Sequence, residues 1–246
     1  MSYTYKSKTY DSLFTLAKDM YLFSDEMAKE LRNEKLVSFL KEKDNEKYEK
    51  IKKLYLLSIP DDVFVFKASY ILNPYMSLRI KGFCFDSYEA LGKTMLAYGP
   101  GLDPVLLELV RYQLISEQML SSDYAKDHID IYNQVLELEN LSDSSLAYFS
   151  LGYFLSKKTT IVFNGVEYKD IYNLTYFLCK KEKDLGTLGS YLAFSPLLEA
   201  YSKYSTEEEG INNYLHLCQE LDKSEKTFAE FLDKKRKGLT PTLNSK

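Results

Sequence analysis

Gly92-Lys93-Thr94 ends as a phosphate-binding loop ends. That loop needs a further glycine five positions before Gly92, and Ser87 stands there. Gly92 also falls inside a stretch of helical periodicity, so its amide is committed to a helix bond and no nucleotide site is expected. His128 lies in Asp127-His128-Ile129-Asp130, and His216 in His216-Leu217-Cys218. A stable zinc site needs three or four converging ligands at spacings such as H-x-x-x-H or C-x-x-C. Neither segment supplies them, so no metal and no cofactor are expected. His128 reads as a helical surface histidine, and His216 as a partly buried one beside Cys218. Cys84 sits between Phe83 and Phe85, and Cys179 precedes Lys180-Lys181. Nearby lysines lower a thiol's pKa, but neither cysteine has a local histidine base, and structural thiols are expected. The 36 carboxylates single out no catalytic pair. Glu207-Glu208-Glu209 stands at a helix start, where the dipole favours acids. No catalytic residue is assigned.

Composition narrows the classes further. The chain of 246 residues is 45% hydrophobic and 28% charged, enough to bury a core without disulfides. Its 22 Tyr and 14 Phe, with no Trp, are as readily the product of an AT-rich coding genome as of function. A net charge of −4 offers no overall basic field to draw in nucleic acid, although local patches remain. Three separated cysteines, an odd number, point to a reducing compartment. Residues 1–6 lack the apolar run of a signal peptide, and nothing approaches a membrane span. A soluble, cytoplasmic protein is expected.

What would position any binding residue is a recurring strand–turn–strand–helix unit. Ile161 to Tyr168 places Asn164-Gly165 between two β-prone runs, the signature of a tight hairpin, and Asp170 is positioned to cap a helix through Ile171, Leu174 and Leu178. Eighty-three residues earlier, Leu78 to Phe85 has the same shape, with Gly82 beneath Gly165. Asp86 is then expected to open a helix with Glu89 at capping-box spacing. The same offset puts Phe66, Tyr70 and Leu72 beneath Phe149, Tyr153 and Leu155, and Leu114-Ile115 beneath Leu197-Leu198. At an offset of 75, Tyr3, Tyr5, Tyr10, Asp11, Leu16 and Met20 match Leu78, Ile80, Phe85, Asp86, Leu91 and Met95, although the turn Lys6-Ser7 lacks glycine.

Helices fill the remainder. Gly99-Pro100-Gly101 breaks the chain before Asp103-Pro104, an N-cap and first-turn proline, and a stripe of Leu106, Leu107, Val110, Leu114 and Ile115. Ser195-Pro196 starts a matching helix. Further helices are expected over 46–57, 61–72, 124–138, 143–155, 207–221 and 224–237, with Gly238 as a stop. The fold expected is mainly α: a helical repeat-like array of about three units, each beginning with a short β-hairpin. The units are residues 1–75, 76–158 and 159–238, with a C-terminal tail over 239–246.

Such arrays present extended grooves, and exposed tyrosine suits interfaces. The function expected is a non-enzymatic scaffold or adaptor that holds a protein partner, with Tyr98, Tyr112, Tyr172, Tyr176, Tyr201 and Tyr204 as contact candidates. A second reading is a regulator or inhibitor that binds nucleic acid or a nucleoprotein complex through Lys180, Lys181, Lys183, Lys234, Lys235, Arg236 and Lys237. A third is an enzyme whose site is assembled from scattered side chains. No membrane partner is expected.

Overall fold

The computed structural model describes residues 2–20, 22, 24–98, 102–163, 165–169, 174 and 195–205. Over these the chain is mainly helical, with small antiparallel two-stranded hairpins. The order is β1 (Tyr3–Tyr5), β2 (Lys8–Tyr10), α1 (Leu13–Met20), α2 (Ser24–Glu30), α3 (Glu34–Lys43), α4 (Asn45–Leu54) and α5 (Asp61–Leu72). Then come β3 (Leu78–Ile80), β4 (Phe83–Phe85), α6 (Tyr88–Ala97), α7 (Pro104–Arg111), α8 (Leu114–Ser121), α9 (Tyr124–Asp127) and α10 (Ile129–Glu139). Last are α11 (Ser144–Ser156), β5 (Ile161–Phe163), β6 (Val166–Tyr168) and α12 (Ser195–Tyr204).

The hairpins share one register. Tyr3 faces Tyr10, Leu78 faces Phe85 and Ile161 faces Tyr168, and in each hairpin this outermost pair is buried. The next aligned core position, Leu16, Leu91 and Leu174, is fully buried in all three places. Two-residue hairpin loops require positive φ at their centre, and Lys81 and Gly82 have it, at 34° and 85°. Gly165 has it too, at 74°, while Asn164 lies outside the described residues. Lys6 and Ser7 adopt 45° and 66° without any glycine. Burial of Tyr3 and Tyr10, with Tyr3 packed on Phe39 at 6.0 Å, offsets that strain.

The chain divides into two units, Met1–Tyr88 with Pro104–Asn140, and Glu89–Asp103 with Leu141–Lys246. In the first, α5 is buried on nearly all sides, with α1, α2, α4 and α8 packed around it. In the second, α11 is as thoroughly buried, and α12 packs along it. There α6 approaches α11 so closely that a Cβ on Gly92 would lie 2.5 Å from the Ser156 amide nitrogen.

The central helices hold their hairpins alike. The Tyr70 hydroxyl donates to the Ser77 carbonyl at 2.6 Å and accepts the Arg79 N–H at 2.9 Å. The Tyr153 hydroxyl accepts the Val162 N–H at 3.4 Å, and both tyrosines lie at the 83-residue offset along with the strand residues, Arg79 and Val162, whose N–H groups they accept. Burial raises both phenols well above their ordinary pKa, so both stay protonated. Tyr70→Phe leaves a main-chain donor and acceptor unpaired, and a loss of about 2 kcal/mol is expected. Urea denaturation measures it, and faster hydrogen exchange at the Arg79 amide places it. The longer bond of Tyr153 predicts a smaller loss for Tyr153→Phe.

Four expected boundaries move. The helix expected over 124–138 is broken at His128, which has φ −135° and separates α9 from α10; its exposed ring stacks on Tyr124 at 4.1 Å. The apolar stripe from Leu106 to Ile115 belongs to two helices, because Gln113 is left-handed at φ 54° and ends α7 before α8 begins. The helix over 46–57 stops at Leu54. In the first hairpin–helix junction the cap is Ser12, whose Oγ accepts the Phe14 N–H at 3.1 Å, and α6 likewise starts after Ser87 rather than directly after Asp86. The expected Gly99-Pro100-Gly101 break, the Asp170 cap and the 171–178 helix (Leu174 aside), the helices over 207–221 and 224–237, Gly238 and the tail over 239–246 lie outside the described residues.

Candidate functional site

The end of α5 and the segment leading into β3 form one wall of an open groove in the first unit. Asn73, the C-cap of α5, donates its main-chain N–H to the Ser69 carbonyl at 2.8 Å and ends the helix by leaving helical geometry, at φ −139° and ψ 85°. Pro74 follows and cannot continue a helix. The turn is pinned by Met76 N–H to the Asn73 carbonyl at 3.3 Å, and by the Gln118 carboxamide to the Met76 carbonyl at 3.4 Å. Phe14 and Lys18 of α1 supply the other wall. The groove measures about 490 Å³ and is lined by Phe14, Lys18, Asn73, Tyr75, Met76, Ser77 and Arg79.

Among the described residues its lining carries two cations and no carboxylate. The Arg79 Nε donates to Ser77 Oγ at 3.1 Å, while the Arg79 main chain is fixed by Tyr70. Lys47 extends the positive field, its ammonium 5.1 Å from the centre of the Phe14 ring and bonded to the Leu72 carbonyl at 3.0 Å. Tyr75 is 72% exposed and Phe14 48%, so two aromatic rings stand in solvent at a basic groove. Cys84, a free and exposed thiol, faces Arg79 across the hairpin, its sulfur 3.7 Å from Ser77 Oγ.

A second cluster lies in the same unit. Asp62, in the first turn of α5, is 7% exposed, and the Lys81 ammonium reaches its Oδ2 at 2.7 Å and Glu108 Oε2 at 3.8 Å. Lys81 holds this place from the left-handed turn of the β3–β4 hairpin. Burial, then the hydrogen bond and charge of Asp62, push the Glu108 carboxyl up to about 7. Burial opposes ionisation of Asp62 as well, but hydrogen bonds from Glu108 and Lys81 hold it below its usual value. Glu108 therefore carries the proton that the pair shares. The Lys81 ammonium thus lies within ion-pair distance of both acids.

A further carboxyl is structural. Glu139 on α10 accepts the main-chain N–H groups of Ile115 and Ser116, at 3.0 and 3.2 Å, and so caps α8 from a distance. Burial pushes it up to about 7, against those hydrogen bonds.

The tyrosines singled out by sequence are scattered. Tyr98 is 41% exposed and Tyr112 half-buried. Tyr201 is 1% exposed, its ring 5.6 Å from that of Tyr153, within the packing of α11 and α12. Tyr204 stacks on Tyr153 at 6.1 Å. Tyr172, Tyr176, Cys179, Lys180, Lys181, Lys183, His216, Cys218, Lys234, Lys235, Arg236 and Lys237 lie outside the described residues. Gly92 is inside α6, as its periodicity implied. Among the described residues, no group of three or more His, Cys, Asp and Glu is placed to hold a metal ion. Nor is any helix among them long and apolar enough to cross a membrane.

Sequence reasoning passed over the groove residues and the acid pair. One signal was present: Asn73-Pro74 ends an apolar helix three residues before the β-prone run from Leu78, so a short, exposed turn was readable there. Its meeting with Phe14 and Lys18 depends on how α1 lies against α5, which no local spacing encodes. The chain matches no family model, no curated protein and no solved structure.

Proposed function

We propose that this is a non-enzymatic interaction protein, a scaffold or adaptor that holds a protein partner. The observation that carries the reading is the open groove with Tyr75 and Phe14 exposed at its sides, because amphipathic rings with few rotamers bind partners at low entropic cost. The recurrence of the Tyr70 and Tyr153 hydroxyl bonds supports a further proposal, that the chain is an array of about three hairpin-led helical units and offers such surfaces repeatedly. The mutual pairing of Asp62, Glu108 and Lys81 supports the non-enzymatic reading, since their charges are spent on each other. Free, exposed Cys84 supports placement in a reducing compartment such as the cytoplasm.

Lys18 and Arg79 favour a second reading, a regulator that grips nucleic acid or a nucleoprotein complex. Photo-crosslinking separates the two. The full chain, carrying p-benzoylphenylalanine in place of Tyr75, is irradiated in the source cell with and without nuclease. A discrete protein adduct that survives nuclease supports the partner-holding reading. An adduct lost on nuclease treatment, or none at all, overturns it.

A further inference from the structure

Asn73 is the least expected member of the groove. It is 5% exposed, yet it lines the open cleft, and its carboxamide makes no hydrogen bond among the described residues. Solvent reaches its carboxamide atoms from the groove, so a group that enters meets them directly. The carboxamide offers one acceptor and two donors. Those match the N–H and C=O of a single peptide group, which an extended segment leaves unpaired and a helix does not.

We propose that the groove receives an extended acidic peptide segment, with Asn73 clamping one of its peptide groups and Arg79 and Lys18 taking its carboxylates. This rests on the reading of the protein as one that holds a protein partner, and names that partner's chemistry. The Arg79 guanidinium is already steadied by Ser77, and its backbone by Tyr70, so little order remains to be imposed when a carboxylate docks. Among the described residues none that lines the groove is acidic, which favours an incoming negative charge. An extended chain turns alternate side chains to opposite faces.

The test is fluorescence anisotropy on the full chain, with a labelled eight-residue peptide that alternates leucine and glutamate. Versions with glutamine or lysine in place of glutamate, and an eight-nucleotide oligouridylate, serve as the other probes. The glutamate peptide is expected to bind about tenfold or more tightly than the glutamine one, and to weaken as salt rises. Asn73→Ala, which removes the carboxamide, and Arg79→Gln are each expected to cost about tenfold or more in affinity with helix content kept, as circular dichroism reads it. Equal binding of the glutamate and glutamine peptides overturns the proposal, as does wild-type affinity in both variants. Tighter binding of the oligouridylate that the variants abolish overturns it too. A nuclease-resistant adduct at position 75 alongside any of these failures leaves the partner reading standing and refutes only the peptide chemistry. Loss of the adduct refutes the partner reading itself.

Discussion

Gly92→Ala is expected to destabilise the second unit by about 3 kcal/mol. The added Cβ would stand 2.5 Å from the Ser156 nitrogen, 2.9 Å from the Gly152 carbonyl oxygen and 2.8 Å from the Leu155 Cβ. Two of these atoms belong to the α11 backbone, so no rotamer change relieves them and the helices must part. Parting them opens space beside Leu91, Met95 and Leu96, which are all but completely buried. Alanine's better helix propensity returns about 1 kcal/mol at most, so packing decides the sign. Gly152→Ala is the internal control. Its Cβ would meet Leu96 Cδ2 at 2.8 Å, the far end of a flexible side chain, and a loss of about 1 kcal/mol is expected. Urea denaturation of the full chain measures both. Equal losses from the two substitutions would mean that the crossing is not governed by the Gly92 backbone contact.

The same glycine shows where sequence reading succeeds and where it stops. Gly92 lay within a helical pattern, which removed the phosphate loop from consideration, but its reason for being glycine is a helix some sixty residues away in sequence. The hairpins were readable because turn chemistry is local. Gly82 and Gly165 adopt the positive φ that their type suggests. Lys6-Ser7 does so against local preference, under the pull of the buried Tyr3–Tyr10 pair. The aligned positions Leu16, Leu91 and Leu174 were readable as core for the same reason, since burial follows period and offset. Breaks inside apolar stripes were not readable. Gln113 leaves the helix because Glu139 is present to satisfy the amides of Ile115 and Ser116, a partner more than twenty residues on. The groove is of this second kind. Tyr75 and Arg79 are unremarkable residues of a turn and a strand until α1 brings Phe14 and Lys18 beside them.

Because Glu139 and Glu108 hold the first unit in their protonated forms, that unit is expected to lose stability as pH rises from about 4.5 to about 7. An acid whose pKa is raised by folding binds more protons when folded than when unfolded throughout that window, so stability falls with pH across it and levels off above. Asp62 acts at the other end. Its carboxyl is held below its usual value, so its contribution is lost as the solution becomes more acidic than about pH 4. For Glu139, well buried beneath α8, the change from 4.5 to about 7 corresponds to about 3 kcal/mol. Glu108 is a quarter exposed and shares its proton, and about 1 kcal/mol is a fair discounted figure. Urea midpoints of the full chain, measured between pH 4.5 and 8, should decline by the corresponding amount. Glu139→Gln keeps an oxygen to accept the Ile115 N–H but cannot ionise, so it should flatten most of the slope and leave the chain more stable than wild type at pH 8. Glu139→Ala removes the cap as well and should be less stable than Glu139→Gln at every pH. A wild-type profile that rises between pH 5 and 8 would reverse the assignment. It would mean that Glu139 is ionised, and that the partial positive charge at the start of α8 outweighs the cost of burying a carboxylate there.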